Sequence, residues 1–136
     1  TIVIAQNTGD YLVWTENQRS IQDDVVNETD LGWGLFESKG CVGCHTIRGT
    51  TAVGEVGPDL THFGSRITIA ANALHKGQED LTFTQFFANP IKDNDLVNLE
   101  KWLTNPPDVK PGSLMPGLGL SKDETSTLAI FLEGLK

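Results

Sequence analysis

Cys41-Val42-Gly43-Cys44-His45 places two thiols and an imidazole within five consecutive residues. At this C-x-x-C-H spacing two thiols can reach neighbouring vinyl carbons on one porphyrin edge, and the next histidine is carried beneath the ring to meet iron. Cys41 and Cys44 are the only two cysteines among 136 residues, so neither has a disulfide partner elsewhere in this sequence. Three other chemistries use such a pair. A thioredoxin-like dithiol expects a βαβ pattern around it, and none is visible here. Zinc usually takes four ligands and would have to recruit His62 and His75. A structural disulfide between the two is the third. Covalent haem is the reading that also employs His45.

A low-spin electron-transfer haem takes a sixth ligand, commonly Met or His. The sequence holds one methionine, Met115, within Lys110-Pro111-Gly112-Ser113-Leu114-Met115-Pro116-Gly117. Methionine often fills gaps in cores, but prolines and glycines break this segment too often for a helix or strand interior. Met115 is therefore the candidate distal ligand, held on a stiff loop. His62 and His75 are the alternatives, and a bis-His site would have the lower reduction potential. An open or displaceable sixth position would instead suit a peroxidase or a gas sensor.

Composition bounds the rest. The length suits one domain, to which a haem would add apolar surface for packing. With 38% apolar residues, no run approaches the ~18 that mark a membrane helix. The start, Thr1-Ile2-Val3-Ile4-Ala5, has neither the basic region nor the length of a signal peptide, and no initiator methionine. The chain is thus expected to be a mature or excised piece of something longer; covalent haem attachment of this kind is expected outside the bacterial cytoplasm, which would put a targeting element upstream. Net charge is −8, with six acids against Arg19 alone in residues 1–30. An acidic surface disfavours nucleic acid and steers a basic partner; equally, Asp23, Asp24, Glu28 and Asp30 can simply solvate a linker.

The elements that must position these groups follow from punctuation and period. Thr1 to Ala5 reads as a strand, Asp10 to Ser20 as a short helix, and Gln22 to Asp30 as a polar linker. Leu31, Leu35 and Phe36 recur at helical spacing, with Thr29 or Asp30 as cap and Gly40 as terminator. Thr46 to Gly64 reads as loop and Ile67 to Leu74 as a short helix. Leu96, Leu99 and Leu103 mark another helix, stopped by Pro106-Pro107. Ser121 to Glu124 forms a capping box ahead of the stripe Leu128, Phe131, Leu132 and Leu135.

This order of helix, Cys41 to His45, Gly57-Pro58-Asp59-Leu60, Met115-Pro116 and C-terminal helix resembles class I cytochrome c over residues 31–136. Gly32-Trp33-Gly34-Leu35-Phe36 is similar to the family's N-terminal glycine-and-aromatic helix, and Leu128-Ala129-Ile130-Phe131-Leu132 to its C-terminal one. Phe131 stands where tyrosine is frequent. The resemblance implies an all-α fold of helices and loops around one covalent haem c, the two terminal helices crossing with glycine against aromatic. It implies thioethers at Cys41 and Cys44, His45 and Met115 as the axial iron ligands, and the Pro58 carbonyl accepting from the other ring nitrogen of His45. Leu60 and Trp102 would wall the haem and Arg66 would neutralise a propionate; Trp102 as plain core and Arg66 as an ordinary surface residue are the plainer alternatives.

Gly57 to Arg66 with Thr68-Ile69-Ala70-Ala71, and Lys110-Pro111-Gly112 before Met115, resemble one subfamily more closely. It is the cytochrome c domain fused to the C-terminus of subunit II in caa-type haem–copper oxidases. Within residues 1–30, Thr1 to Ala5 and Tyr11-Leu12-Val13-Trp14 are similar to the last strand of its copper domain and the trailing helix, without the copper ligands. Such a domain is not an oxygen-reducing enzyme by itself. The resemblance implies one-electron transfer from a respiratory donor protein to the dinuclear copper domain of the same subunit, on the outer, periplasmic face of the cytoplasmic membrane. Lys76–Asn98 is longer than the subfamily leads one to expect and reads as an insertion, with Phe83, Phe86 and Phe87 as local core. A free soluble shuttle is the remaining alternative.

Overall fold

The computed structural model describes residues 5–21, 30–75 and 93–136. Helix α1 (Thr8–Arg19) begins at Asn7, whose side chain accepts from the Asp10 amide. Helix α2 (Leu31–Ser38) begins at Asp30, whose carboxylate accepts from the Gly32 amide at 2.7 Å. Such acceptors satisfy amides that a first helical turn leaves unbonded. Past the end of α2, Gly40 takes the left-handed conformation, φ +77°, which glycine adopts without a Cβ penalty. That turn delivers the chain into a 3-10 turn at Cys41–Gly43.

Helix α3 (Asp93–Thr104) is followed by a four-residue helix α4 (Pro106–Val109) and the C-terminal α5 (Lys122–Gly134). Pro106 and Pro107 therefore do more than stop α3. They open α4, because a missing N–H costs nothing in a first helical turn. The Ser121–Glu124 capping box is formed in both directions at the start of α5, and Lys39 Nζ reaches Glu124 at 2.6 Å, tying the end of α2 to the start of α5.

Helices α2, α3 and α5 enclose the core, with Phe36, Leu99, Leu128 and Leu135 fully buried. The decisive contact is the crossing of α2 and α5. A Cβ on Gly32 would stand 2.3 Å from Phe131 Cβ, so this separation of the two helices excludes any side chain at position 32. Phe131 then closes on Trp33 and Phe36, with ring centroids 6.3 and 5.9 Å away, distances at which aromatic pairs attract beyond their buried area. The glycine-against-aromatic crossing expected for this fold is present.

Ile67 to Leu74 is not a helix. Thr68–Ile69 (β1) and Leu74–His75 (β2) pair antiparallel, Thr68 opposite His75 and Ile69 opposite Leu74. Ala70, Ala71 and Asn72 between them all have positive φ. The apolar run conceals a tight turn, and β-branched Thr68 and Ile69 suit the extended arm. The expected strand at Thr1–Ala5, the linker from Gln22 and the Phe83–Phe87 part of the insertion lie outside the described residues; Asp93 to Asn98 belongs to α3. Among the described residues, no helix is long and apolar enough to cross a membrane.

Candidate functional site

Cys44 and His45 are wrapped by the loop that follows them. Gly54 N–H donates to His45 O at 3.2 Å, Gly57 N–H to Cys44 O at 2.6 Å and Leu60 N–H to Thr46 O at 2.8 Å. The Thr46 hydroxyl donates to Gly54 O at 2.8 Å, and Thr46 bridges Val53. These bonds lead residues 57–60 back beneath the imidazole. His45 Nδ1 lies 2.9 Å from Pro58 O. A carbonyl only accepts, so this contact requires the proton on Nδ1 and leaves the Nε2 lone pair free to bind a metal.

Gly57 makes the approach possible. A Cβ there would fall 2.4 Å from His45 Cε1 and 2.6 Å from Nδ1, inside the ring's van der Waals surface. Sequence reading takes Gly57 only as part of a motif; the feature that marks its role is its place immediately before Pro58.

Cys41 is half-buried and Cys44 exposed, and both are unpaired. Burial pushes the Cys41 thiol above its ordinary pKa; its own backbone hydrogen bond pulls the other way, and the neighbouring Cys44 adds to the rise. Catalytic dithiols work through a lowered thiol pKa, so the arrangement does not favour thiol–disulfide exchange. Nor, among the described residues, do three His, Cys, Asp or Glu side chains converge as a zinc site requires.

Leu60 is buried at 6% exposure, while Trp102 and Met115 are half-buried against the same core. Met115 rides on a turn in which Ser113 N–H donates to Lys110 O at 3.0 Å and Met115 N–H to Ser113 Oγ at 3.2 Å. Its neighbour Leu114 is 90% exposed, so the loop turns the methionine, not the leucine, toward the protein. The Arg66 guanidinium donates to Asp59 O and lies 5.8 Å from the Phe63 ring centroid. Burial draws its pKa down and the Asp59 carboxylate partly restores it.

Of the two rival ligands, His62 Nε2 is buried and meets no hydrogen-bond partner; the His75 side chain lies outside the described residues. A cleft of about 440 Å³ on the α2–α5 crossing is bordered by Asp30, Leu31, Ile130 and Phe131. Its one carboxylate already caps α2, and it takes no part in the site.

Paired thiols, an imidazole with its proton pinned and a glycine cradle beneath that ring form a donor set that fits a covalently attached porphyrin, and Leu35, Trp102, Met115 and Leu120 are half-buried against the core. The profile of the Cytochrome c family matches residues 30–136. The chain belongs to the cytochrome c family. Its all-α architecture is that of class I cytochrome c, and membership implies covalently bound haem c.

Cytochrome c oxidase subunit 2 of Alkalihalophilus pseudofirmus is 28% identical over 136 residues, covering 98% of this chain and 34% of that protein. Cytochrome c oxidase subunit 2 of Bacillus subtilis is 29% identical over 131 residues, covering 90% of this chain and 31% of that protein. The chain thus spans about a third of the length of the curated relatives it matches.

Proposed function

We propose that this chain is the mono-haem c domain of a cytochrome c oxidase subunit 2, a one-electron carrier between a respiratory donor protein and the dinuclear copper centre of the same subunit. It would work on the outer face of the bacterial cytoplasmic membrane, with residues 1–30 as an extension and linker and residues 31–136 as the cytochrome c domain. This fragment itself would carry no copper and no catalytic site of its own. The likeness to two oxidase subunits along nearly the whole chain supports the assignment.

The observation that carries the redox reading is the His45 Nδ1 contact to Pro58 O at 2.9 Å, directly after two unpaired thiols. When bound, the haem supplies reversible one-electron exchange at its iron. The protein residues determine how. Cys41 and Cys44 would hold the group by thioethers. Pro58 holds the Nδ1 proton of His45, fixing the ring's rotation and raising the basicity of Nε2 toward the iron. Met115 offers a soft thioether that favours the ferrous state, so Met with His gives a higher potential than two histidines. Leu60 and Trp102 would exclude water from the ring, and Arg66 would offer positive charge to a propionate. His45 and Met115 together would hold the iron with side chains and leave no place for oxygen. Tethering in one subunit would make transfer to copper effectively intramolecular, at high local concentration.

The test is the optical spectrum of the chain expressed with haem-attachment machinery, oxidised, reduced and reduced under CO. The expected result is a covalent low-spin haem, a weak ferric band from iron–sulfur ligation and no change with CO. Rapid CO binding would move the function to ligand sensing or peroxide chemistry, and absence of a haem band would return the argument to zinc or a dithiol. A low-spin spectrum lacking the iron–sulfur band would favour His62, whose buried Nε2 has no hydrogen-bond partner.

A further inference from the structure

Helix α1 is twelve residues long and buries none of them. A helix of this length is marginal in water on its own, so whatever holds its end also decides whether it persists. The holding group is Arg48, three residues beyond His45. Arg48 Nη2 donates to Gln18 O at 2.8 Å and Nη1 to Arg19 O at 3.5 Å. These carbonyls close α1, where unbonded acceptors and the negative end of the helix dipole attract a cation. Beside them, a Cβ on Gly49 would stand 2.7 Å from Ile21 Cγ2, an apolar contact at the same end.

The other side of Arg48 is joined to the loop beneath His45. Its backbone N–H donates to Thr61 Oγ1 at 2.9 Å, and its Nε lies 3.4 Å from the same oxygen and 3.6 Å from Asp59 Oδ2. The Thr61 hydroxyl donates to Asp59 Oδ1 at 2.5 Å and the Thr61 amide donates to it at 2.8 Å. Thr61, at the centre of this joint, is 4% exposed, while the Arg48 and Asp59 side chains remain partly open to solvent. Asp59 directly follows the Pro58 carbonyl that faces His45.

We propose that Arg48 is a positioning residue that latches α1 to the Pro58–Thr61 segment, so that a displacement of the N-terminal extension is felt at the His45–Pro58 hydrogen bond. This rests on His45 being the iron ligand and adds a means by which the extension sets the potential. The guanidinium is suited to it: five donors in a rigid fork bridge two separate acceptor groups. A lysine offers a single point and cannot span both.

The experiment uses the full-length holoprotein with Arg48→Ala, Arg48→Lys and Thr61→Val, and Lys39→Ala as a remote ion-pair control. Amide hydrogen exchange reads α1, the His45 ring N–H resonance of the ferrous protein reads the hydrogen bond, and redox titration reads the potential. Arg48→Ala should accelerate exchange across α1 roughly 10–100-fold, the loss expected for charge-assisted bonds, and should shift both the resonance and the potential. Arg48→Lys should restore neither fully. Thr61→Val, which leaves the contacts to α1 in place, should still shift the resonance. Unchanged α1 exchange in Arg48→Ala overturns the latch. Faster exchange with an unmoved resonance and potential overturns the coupling to His45. A chain that takes up no haem refutes the ligand assignment instead, and the exchange measurement separates that failure from failure of the latch.

Discussion

Gly57→Ala tests the cradle beneath His45 with one methyl group. Gly57 has no positive-φ backbone to strain, so alanine meets only a space problem. Its Cβ would stand 2.4, 2.6 and 2.9 Å from three atoms of the imidazole, where ordinary contact needs roughly 3.5–4 Å. Ring and loop must part by about 1 Å, which stretches the 2.9 Å contact to Pro58 O beyond hydrogen-bond range. Overpacking costs about 1–3 kcal/mol and the lost hydrogen bond about 0.5–1.5 kcal/mol. A loss of ~2–4 kcal/mol follows, and with it a fall in melting temperature on the order of 10 °C. The potential should shift as well, because Nδ1–H loses the acceptor that makes Nε2 electron-rich. Thermal melting followed by circular dichroism, with redox titration of the same samples, reads both. Gly43→Ala is the control, since a Cβ there meets nothing within 4 Å. If Gly57→Ala melts and titrates like Gly43→Ala, the loop is not packed against His45 and the argument for the ligand's orientation fails.

Met115→Ala should lower the potential and convert a CO-inert ferrous protein into one that binds CO stoichiometrically, whereas His62→Ala should change neither; the reverse pattern would make His62 the ligand. In α2, Gly32→Ala and Gly34→Ala should have opposite signs. The first drives a methyl to 2.3 Å from Phe131 Cβ and should lose up to about 2 kcal/mol in denaturant unfolding, overpacking less ~1 kcal/mol of helix propensity. The second meets nothing within 4 Å and should gain up to ~1 kcal/mol. For Asp59, burial raises the pKa, but hydrogen bonds from Thr61 and the charges of Arg48 and Arg66 outweigh it and leave it lowered. A lowered carboxylate contributes stability above its unfolded value, about 3.9, and loses it as pH falls through the folded one. The stability difference between the wild type and Asp59→Asn should therefore hold steady from pH 7 to 5 and shrink below pH 4. A difference that widened in acid would contradict the assignment.

The parts of this fold that could be read from sequence are those whose causes are local. Asp30, Gly40 and the Ser121–Glu124 box mark helix ends within one turn of the residues they cap, and C-x-x-C-H is complete in five positions. The hairpin at Thr68–His75 is obscured because two of the three positive-φ positions of its turn are Ala70 and Ala71, residues that rarely signal a turn, and only Asn72 is of a turn-forming type. The glycine-against-aromatic crossing of α2 and α5 was recognisable only by resemblance, since nothing near Gly32 reveals a partner ninety-nine positions away.

Arg48 illustrates the same limit from the other direction. Read along the chain, it is one of ten lysines and arginines, three residues past a haem-type motif, with nothing to distinguish it from a solvated surface group. Its role arises because the loop returning under His45 brings Asp59 and Thr61 to one side of the guanidinium, while the end of α1 arrives on the other. Both approaches depend on folding at a distance: the first on the bonds that tie residues 54–60 back to 44–46, the second on the course of the N-terminal extension. A substitution that loosens the loop, such as Gly57→Ala, should therefore also weaken the hold on α1. Faster α1 exchange in that variant, without any change at Arg48 itself, would show that the loop and the latch form one mechanical unit.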